Sequence, residues 1–350
     1  MSLSRRAFAA AVLTASLAVA GCGKVEDAAP AAQPSTTWAA PSGLSGELTL
    51  YSANPQALTD DLVAAFNAAT GVKVNVFGGE TGKITAKLDA EWQNPQADLV
   101  YLASWAPVAK YAAAGRALPY RPQGADTIQT GWAGSGDNFH GRDGSALMLV
   151  VNTKVSSATP KDWADLTAPE YKDKVIMPDP RESGTARDLI TAMTVAWGKD
   201  KTWELFDKLF DNGMVVHGAN GPALDDVTAG SHAVVLGGVD YSAYAAIDKG
   251  EPLRVIAPTS GTTITPRPVF LVKDSKNPDA AKAFLDFMFS AQGQQISAGH
   301  KMIPARTDVP VAAQTRSFAE VEQLSFTWDQ VTADGKSVLD EFTERYLSRP

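Results

Sequence analysis

The feature that most restricts the fold is a regular alternation of strand-like and helix-like segments between residues 47 and 115. Residues 47–51, 72–76 and 97–101 are short apolar or alternating runs, which are typical of strands. The segments between them carry apolar residues three or four positions apart, as amphipathic helices do. This order predicts a mostly parallel sheet covered by helices. Ligands of such sheets bind beyond the carboxyl ends of the strands, and the corresponding loops are residues 52–54, 78–82 and 102–105.

A second set of strand-like runs follows, separated again by helix-like segments, at residues 145–152, 174–177, 213–216, 233–236 and 268–272. The 350 residues exceed what one hydrophobic core usually holds. We therefore predict an α/β protein of two lobes, each a mostly parallel sheet flanked by helices, joined by extended crossovers near 149–152 and 263–267. The predicted lobes are 46–149 and 150–265, and residues 266–350 return to the first lobe and add C-terminal helices.

The N-terminus has the pattern of an export signal. Arg5 and Arg6 precede an apolar run, 9–20, that is too short to span a bilayer as a permanent helix. The paired arginines fit both the Sec and the twin-arginine export routes. Residues 19–22, Val-Ala-Gly-Cys, resemble the bacterial lipobox, in which Cys22 becomes the lipid-modified first residue of the mature protein. The alternative is a plain cleavage site with an incidental cysteine.

The segment after this signal favours a flexible tether. Residues 23–45 are rich in Ala, Pro, Ser and Thr and have no sustained apolar period. Cys22 is the only cysteine, so no disulfide can form within the chain. The N-terminus therefore predicts a lipoprotein signal over residues 1–22 and an exported protein, anchored to a membrane and facing the periplasm or the outer cell surface.

Composition and motifs exclude several classes of function. The formal net charge is −8 without a basic stripe, which argues against a nucleic-acid partner. The sequence contains neither His-Glu-x-x-His nor Gly-x-Ser-x-Gly, and residues 78–83 lack the spacing of a phosphate loop. We therefore expect no enzyme, with a hydrolase on a two-lobed α/β scaffold as the alternative. We also expect a monomer that needs no cofactor.

Residues 180–188, Pro-Arg-Glu-Ser-Gly-Thr-Ala-Arg-Asp, lie between an apolar strand-like run and a helix-favouring segment. Ser183, Gly184 and Thr185 would then stand at the N-terminus of the helix. The first N–H groups of a helix have no partner within it, so together with two hydroxyl groups they would bind an anion. The alternative is that Ser183 only caps the helix.

Four segments, in this order, resemble the periplasmic iron-binding family of ABC-transporter solute-binding proteins. They are residues 50–52 with 70–74, 97–100, 163–184 and 277–293, and they are spread over most of residues 47–310. Proteins of this family are two-lobed type II binding proteins. The resemblance implies that the lobes close on one small ligand and that a cognate permease in the membrane recognises the closed form.

The metal ligands of that family are only partly matched. The family binds ferric iron through a His in the first loop, often a Glu after the third strand, and two adjacent Tyr residues late in the chain. Here Pro55 lies near the expected His, Ala103 lies where the Glu belongs, and Asp240 and Tyr241 lie where the tyrosine pair belongs. Tyr244 lies one helical turn after Tyr241. If iron is bound, Tyr241 and Tyr244 are the candidate ligands, since Fe(III) prefers anionic oxygen.

The anion-binding half of the family site is matched better, by 183–185 and by Asn220. This pattern is similar to relatives that bind phosphorylated organic solutes, such as 2-aminoethylphosphonate or sugar phosphates. Asp240 and Tyr241 would hold an amine or hydroxyl at the far end of the ligand. The alternatives are that Thr81 caps a helix and that Tyr241 is a core residue. The predicted ligand-binding residues are Ser183, Gly184, Thr185, Asn220, Ser52, Asn54, Thr81, Asp240 and Tyr241.

The resemblance implies one function and one main alternative. The first is the extracytoplasmic substrate-binding component of an ABC importer, which captures a small phosphorylated or phosphonate-bearing solute by hinge closure. The alternative is a ferric-iron-binding protein that takes Fe³⁺ together with a synergistic anion. Arg267 stands between Pro266 and Pro268 near the second crossover, and we expect its side chain to be held in place there.

Overall fold

The structure, a computed structural model, describes residues 37–348. The predicted signal, the lipidation site at Cys22 and residues 23–36 of the predicted tether lie outside the described residues. Within residues 37–348, no helix is both long enough and apolar enough to cross a membrane.

Strands and helices alternate along the first half of the chain, as the sequence predicts. The strands of the described residues are β1 Glu47–Ser52, β2 Lys73–Gly78, β3 Leu99–Tyr101, β4 Ala117–Leu118, β5 His140–Asn152, β6 Val175–Met177, β7 Val215–Val216, β8 Val234–Val239, β9 Leu253–Ile256, β10 Ile264–Val272 and β11 Ile303–Pro304. The α-helices are α1 Gln56–Thr70, α2 Thr81–Ala90, α3 Trp105–Ala113, α4 Gly184–Trp197, α5 Lys199–Asp211, α6 Asn220–Thr228, α7 Asp240–Asp248, α8 Pro278–Phe289, α9 Ala291–Gly299 and α10 Trp328–Phe342.

The strands form two sheets that share the 13-residue strand β5. The first sheet has the order β2-β1-β3-β10-β5, with β4 on β10 and β11 on β5. The second has the order β5-β8-β6-β7, with β9 also on β5. Pairs among β1, β2 and β3, and among β6, β7 and β8, are parallel, whereas β5 and β10 run antiparallel to their neighbours. Each lobe is therefore a largely parallel sheet, and the connecting strands are the antiparallel ones.

The chain passes between the lobes through two adjacent extended segments. Strand β5 pairs with β10 as far as Ala146 and with β8 from Leu147 onward. At this point Leu147 N donates to Thr263 O at 3.1 Å, and Thr262 Oγ1 donates to Leu147 O at 2.5 Å. The second crossover thus lies at the start of the predicted segment 263–267, while the first lies slightly earlier than the predicted 149–152. The lobe ranges themselves stay predictions.

The core of the first lobe also includes the end of the predicted tether. Trp38 packs against Phe66 of α1 and Phe287 of α8, with ring centroids 5.8 and 5.4 Å apart. Its backbone N–H donates to Gln292 Oε1 at 3.0 Å, and its side chain is buried. The prediction of a tether as far as residue 45 is therefore wrong at Trp38, because an exposed tryptophan would forgo a large apolar burial.

Helix α10 contacts both lobes. It packs along α4 of the second lobe and also along α3 of the first. Val338 and Phe342 belong to the core of the second lobe, and Trp328, at its first turn, lies 5.8 Å from Trp105 of α3 between ring centroids. The C-terminal helix therefore lies across the lobe boundary, beside the two crossovers.

Candidate functional site

A cavity of about 440 Å³ lies between the lobes, at the carboxyl ends of β1 and β2. Its first-lobe wall is formed by the loops after these strands, and its second-lobe wall by the first residues of α6 and α7. We call this cavity the cleft. Among the predicted ligand-binding residues, the structure brings together in its wall Ser52, Asn54, Asn220 and Tyr241.

The most unusual group in the cleft is the guanidinium of Arg267 on β10. Arg267 is only 2 % exposed, and its Nε and Nη1 atoms have no hydrogen-bond partner among residues 37–348. The guanidinium lies 4.7 Å from the centroid of the Tyr241 ring. Burial alone would lower the pKa of Arg267, but Tyr241, Asp143 and Tyr101 outweigh it and raise the pKa. These neighbouring groups therefore keep the guanidinium charged despite its burial.

The residues predicted to bind an anion form a hydrogen-bonded link between two helices. Ser183 caps α4, because its Oγ accepts from Ala186 N at 3.1 Å, and it also donates to Asn220 Oδ1 at 2.9 Å. Thr185 Oγ1 accepts from Asn220 Nδ2 at 3.1 Å. Ser183 therefore caps α4, and its hydroxyl is buried with that of Thr185, while a direct contact of either hydroxyl with an anion stays a prediction. Of this trio, only Asn220 reaches the wall of the cleft.

Four helices begin beside the cleft, one of them α7, whose second residue Tyr241 lines it. Gln56 opens α1, Glu80 precedes α2, and Asn220 opens α6, and all three residues line the cavity. The first N–H groups of a helix have no acceptor within it and carry part of the positive end of its dipole. The cleft therefore combines a buried cation with several helix N-termini, which favours a negatively charged ligand.

The first-lobe wall offers hydroxyl and amide groups. Ser52 Oγ lies 3.1 Å from Thr59 Oγ1 of α1. Asn54 Nδ2 donates to Tyr101 O at 2.8 Å, while the buried Asn54 Oδ1 has no partner among the described residues. Asn54 does not cap α1, because Pro55 holds the N-cap position. An amide oxygen without a donor can accept a hydrogen bond from a hydroxyl or an amine of the ligand.

Asp240 lies behind Tyr241 and outside the wall of the cleft. It is fully buried; its Oδ1 accepts from Tyr241 N at 2.8 Å, and its Oδ2 has no partner among the described residues. Burial raises the pKa of Asp240 to about 7. A direct contact between Asp240 and a ligand amine stays a prediction. In this conformation Asp240 supports the first turn of α7, which carries Tyr241.

Two predicted residues line a different cavity. Thr81 and Gly184 lie in the wall of a second interlobe cavity of about 420 Å³. The contact between Ser104 and Gly184 lies between this cavity and the cleft. A Cβ on Gly184 would lie 2.8 Å from Ser104 Cβ, so only glycine allows the lobes to approach this closely here. Thr81 is the first residue of α2 rather than its cap, which is Glu80.

The two tyrosines of the iron alternative are not brought together in the cleft. Tyr241 lines it, whereas Tyr244 is buried outside its wall, where Arg316 accompanies it and burial raises its pKa to about 12. Within residues 37–348, no group of three or more His, Cys, Asp or Glu side chains is placed to hold a metal ion. The cleft therefore offers one phenolic oxygen, from Tyr241, to a ferric ion.

A buried carboxyl group joins the lobes beside the cleft. Ser104, the N-cap of α3, donates to both oxygens of Asp188 on α4 at 3.2 and 3.3 Å. Asp188 is 1 % exposed, and burial raises its pKa to about 7, although Arg187 and Ser104 pull it down in part. The carboxyl group is thus partly protonated near neutral pH.

We expect Asp188→Asn to stabilise the protein above pH ~4, with the full effect above pH about 7. Below pH ~4 the carboxyl group is protonated in both the folded and the unfolded state. Between pH ~4 and about 7 only the folded state keeps the proton, so stability falls as the pH rises. The neutral amide removes this penalty, which is on the order of 4 kcal/mol at pH 8. Urea unfolding at pH 4, 6 and 8 measures it.

The control for this experiment is Asp126→Asn, since the Asp126 side chain is 90 % exposed and its pair with Arg121 is solvated. That variant should match the wild type at every pH. Equal effects of Asp188→Asn at pH 4 and pH 8 would contradict the burial of a titrating carboxyl group at the lobe boundary.

Comparisons with known proteins agree with this architecture. The chain is 25 % identical to iron uptake protein A1 of Synechocystis sp. over 94 % of each chain. It is 22 % identical to a putative 2-aminoethylphosphonate-binding periplasmic protein of Salmonella typhi, over 76 % of this chain and 81 % of that one. Among solved structures, the periplasmic binding protein AfuA of Actinobacillus pleuropneumoniae, with fructose-6-phosphate bound, superposes with a TM-score of 0.80. That match has 22 % identity and covers 87 % of this chain and 99 % of the other.

The solved structures and this fold share one architecture, that of two-lobed periplasmic binding proteins. The family model described as "Bacterial extracellular solute-binding protein" matches residues 48–300, most of the chain. The predicted α/β fold and the resemblance to ABC-transporter solute-binding proteins are thereby confirmed. The chain belongs to the family of bacterial extracellular solute-binding proteins.

Proposed function

We propose that this solute-binding protein captures a small phosphorylated or phosphonate-bearing solute for an ABC importer. The observation that carries the proposal is the buried guanidinium of Arg267, a residue that lines the cleft and whose Nε and Nη1 atoms have no partner among residues 37–348. A phosphate or phosphonate offers the bidentate acceptor that suits such a fork. The helix N-termini beside the cleft favour the same charge.

The solute acts by favouring the closed arrangement of the lobes. Asn220 and Tyr241 stand on the second lobe, whereas Ser52, Asn54 and Arg267 stand on the strands and loops of the first. A ligand that touches both walls gains contacts only when they approach, so its differential affinity drives closure without any chemical step. We infer no catalytic role for the cleft, which supports a binding protein rather than a hydrolase.

Several further parts of the proposal follow from the sequence. The protein is exported, is held at the membrane by a lipid on Cys22, faces the periplasm or the outer cell surface, and works as a monomer with a cognate permease. The periplasmic relatives support export and a permease partner. The lipid anchor rests on the lipobox-like residues 19–22 alone.

The second candidate is ferric iron with a synergistic anion. Two observations favour it: Tyr241 lines the cleft, and one relative is an iron uptake protein. In that case Arg267 and Asn220 would hold the anion, and Tyr244 would have to move to join Tyr241. The phosphorylated solute needs no such movement of Tyr244, because Arg267, Asn220 and Tyr241 already line the cleft.

Calorimetric titration of the purified full chain separates these candidates. The panel is 2-aminoethylphosphonate, fructose 6-phosphate, glucose 6-phosphate, inorganic phosphate, and ferric citrate with and without phosphate. We expect saturable single-site binding of at least one phosphoester or phosphonate, with no product formed on prolonged incubation. Tight binding of iron with a visible tyrosinate absorption band, and none of the organic compounds, would overturn the proposal in favour of the ferric one.

A further inference from the structure

The second interlobe cavity, which we call the outer pocket, is unusually basic for a protein of net charge −8. Four basic and two acidic side chains line its volume of about 420 Å³. Its walls belong to α2 and α3 of the first lobe and to the start of α4 in the second. It is therefore complete only when the lobes are together.

Two of the four cations are already neutralised. Arg116 Nη1 lies 3.0 Å from Asp89 Oδ1, and Arg181 Nη2 lies 2.5 Å from Asp179 Oδ2. The other two, the exposed Lys110 and the half-buried Arg187, form no salt bridge within residues 37–348; the wall's second acidic residue, Glu182, is exposed, and Arg187 lowers the pKa of the neighbouring Asp188.

Lys110 and Arg187 come from opposite lobes. Lys110 stands on α3 and Arg187 on α4, and both also border a smaller adjoining cavity with the buried Asp188 and with Lys336, which pairs with Asp340. Bringing two such cations to one cavity raises the electrostatic energy of the closed form. An anion bound between Lys110 and Arg187 would replace this repulsion by attraction and so favour the closed form.

The outer pocket adjoins the cleft. Glu80 lines the cleft and the next residue, Thr81, lines the outer pocket, so the two cavities lie on adjacent sides of the first turn of α2. On the other side, Ala103 belongs to the cleft and Gly184 to the outer pocket, with the buried Ser104 between them. A solute that bound Arg267 and reached Lys110 and Arg187 would pass this turn.

We propose that the outer pocket is a second oxyanion subsite, held by Lys110 and Arg187, for a second negatively charged group of the same solute. The transported solute then carries two anionic groups, a phosphate or phosphonate at Arg267 and a phosphate or carboxylate at the outer pocket. This inference rests on the proposed function of the cleft, since it assigns the other end of the ligand bound there.

Calorimetry with matched pairs of compounds tests the inference. Glycerol 3-phosphate and 3-phosphoglycerate differ in one carboxylate, and fructose 6-phosphate and fructose 1,6-bisphosphate differ in one phosphate. In at least one pair we expect the doubly anionic compound to bind about tenfold tighter or more. In the double variant Lys110→Gln/Arg187→Gln this ratio should fall to about 1, with the affinity for the singly anionic compound kept within about twofold.

The matched control is Lys172→Gln/Lys249→Gln, which removes the same charge from exposed positions that line neither cavity and should leave the ratio unchanged. Equal affinities within both pairs, or a ratio unchanged by Lys110→Gln/Arg187→Gln, would overturn the second subsite while leaving the proposed function standing. Inorganic phosphate could instead tighten the binding of fructose 6-phosphate, and do so only when Lys110 and Arg187 are present. The outer pocket would then bind a separate anion, and the assignment to one solute would be overturned. If no phosphorylated compound binds, both proposals fall.

Discussion

Replacing Arg267 by glutamine should lower the affinity for phosphorylated solutes by at least about a hundredfold. The guanidinium is buried with Nε and Nη1 unpaired, so a bound phosphate gains charge-assisted hydrogen bonds without paying again for burial. Two such bonds contribute roughly 3 kcal/mol, which corresponds to about that factor. Calorimetric titration of wild type and Arg267→Gln with the best phosphoester of the panel measures the ratio.

The same variant should also be less stable without ligand. Tyr241, Asp143 and Tyr101 favour the charged guanidinium more than burial disfavours it, so its removal is expected to lower the free energy of unfolding. Arg254→Gln is the matched control, because Arg254 is exposed on β9 and bonds to Thr159 Oγ1; its affinity should equal that of the wild type. An Arg267→Gln protein that folds and binds within about threefold of wild type would refute the assignment.

The largest loss of stability is expected from Asp143→Asn. Asp143 and Arg142 are both 0 % exposed on β5, and Arg142 Nη1 lies 2.7 Å from Asp143 Oδ2. Tyr101 OH and Ser297 Oγ donate to the same carboxylate at 2.7 and 2.6 Å. Removing the negative charge leaves the Arg142 guanidinium uncompensated in the interior, which costs about 3–5 kcal/mol.

Urea unfolding of the ligand-free protein at neutral pH measures this loss as a lower midpoint at an unchanged slope. Asp126→Asn serves as control again, because its exposed pair with Arg121 should contribute less than about 1 kcal/mol. A loss of under ~1 kcal/mol for Asp143→Asn would mean that the Arg142 guanidinium finds other acceptors, of which Gly293 O is already one.

Local patterns were sufficient to predict most of the first lobe. Apolar residues at helical spacing, such as Leu58, Leu62 and Phe66, are the buried face of α1 in the structure. Short runs rich in strand-favouring residues became β1 and β2, as their local composition predicts. The secondary structure of such segments is determined mainly by residues close in sequence, so it can be predicted without knowing the rest of the fold.

The start of β5 could not be predicted in this way. The sequence predicts a strand from residue 145, whereas β5 begins at His140 and includes the polar run His-Gly-Arg-Asp-Gly. Such a run is typical of a turn, and it is buried here only because Arg142 and Asp143 neutralise each other against Ser297 of α9. Because Ser297 lies about 150 residues after Asp143 in the sequence, their contact produces no local pattern that would predict a strand here.

The candidate site shows the same division. The link between Ser183 and Asn220 follows from two helix N-termini whose positions a β/α pattern predicts. Thr81 and Gly184 line a separate cavity because Ser104 packs closely against Gly184 at the start of α4. This contact joins residues of different lobes, so no local pattern predicts it. Arg267 was expected to be held in place, but its lack of a partner depends on every residue packed around it.

Because both sheets include strand β5, neither lobe can be cut from the other without losing a strand. Severing the chain between them would leave the β10 edge of one sheet and the β8 edge of the other without their common partner. Open sheet edges invite aggregation. To exchange ligand specificity between relatives, a chimaera should therefore replace the loops that line the cleft and keep the β5–β10 pair intact. Exchanging a whole lobe would divide β5 between two proteins.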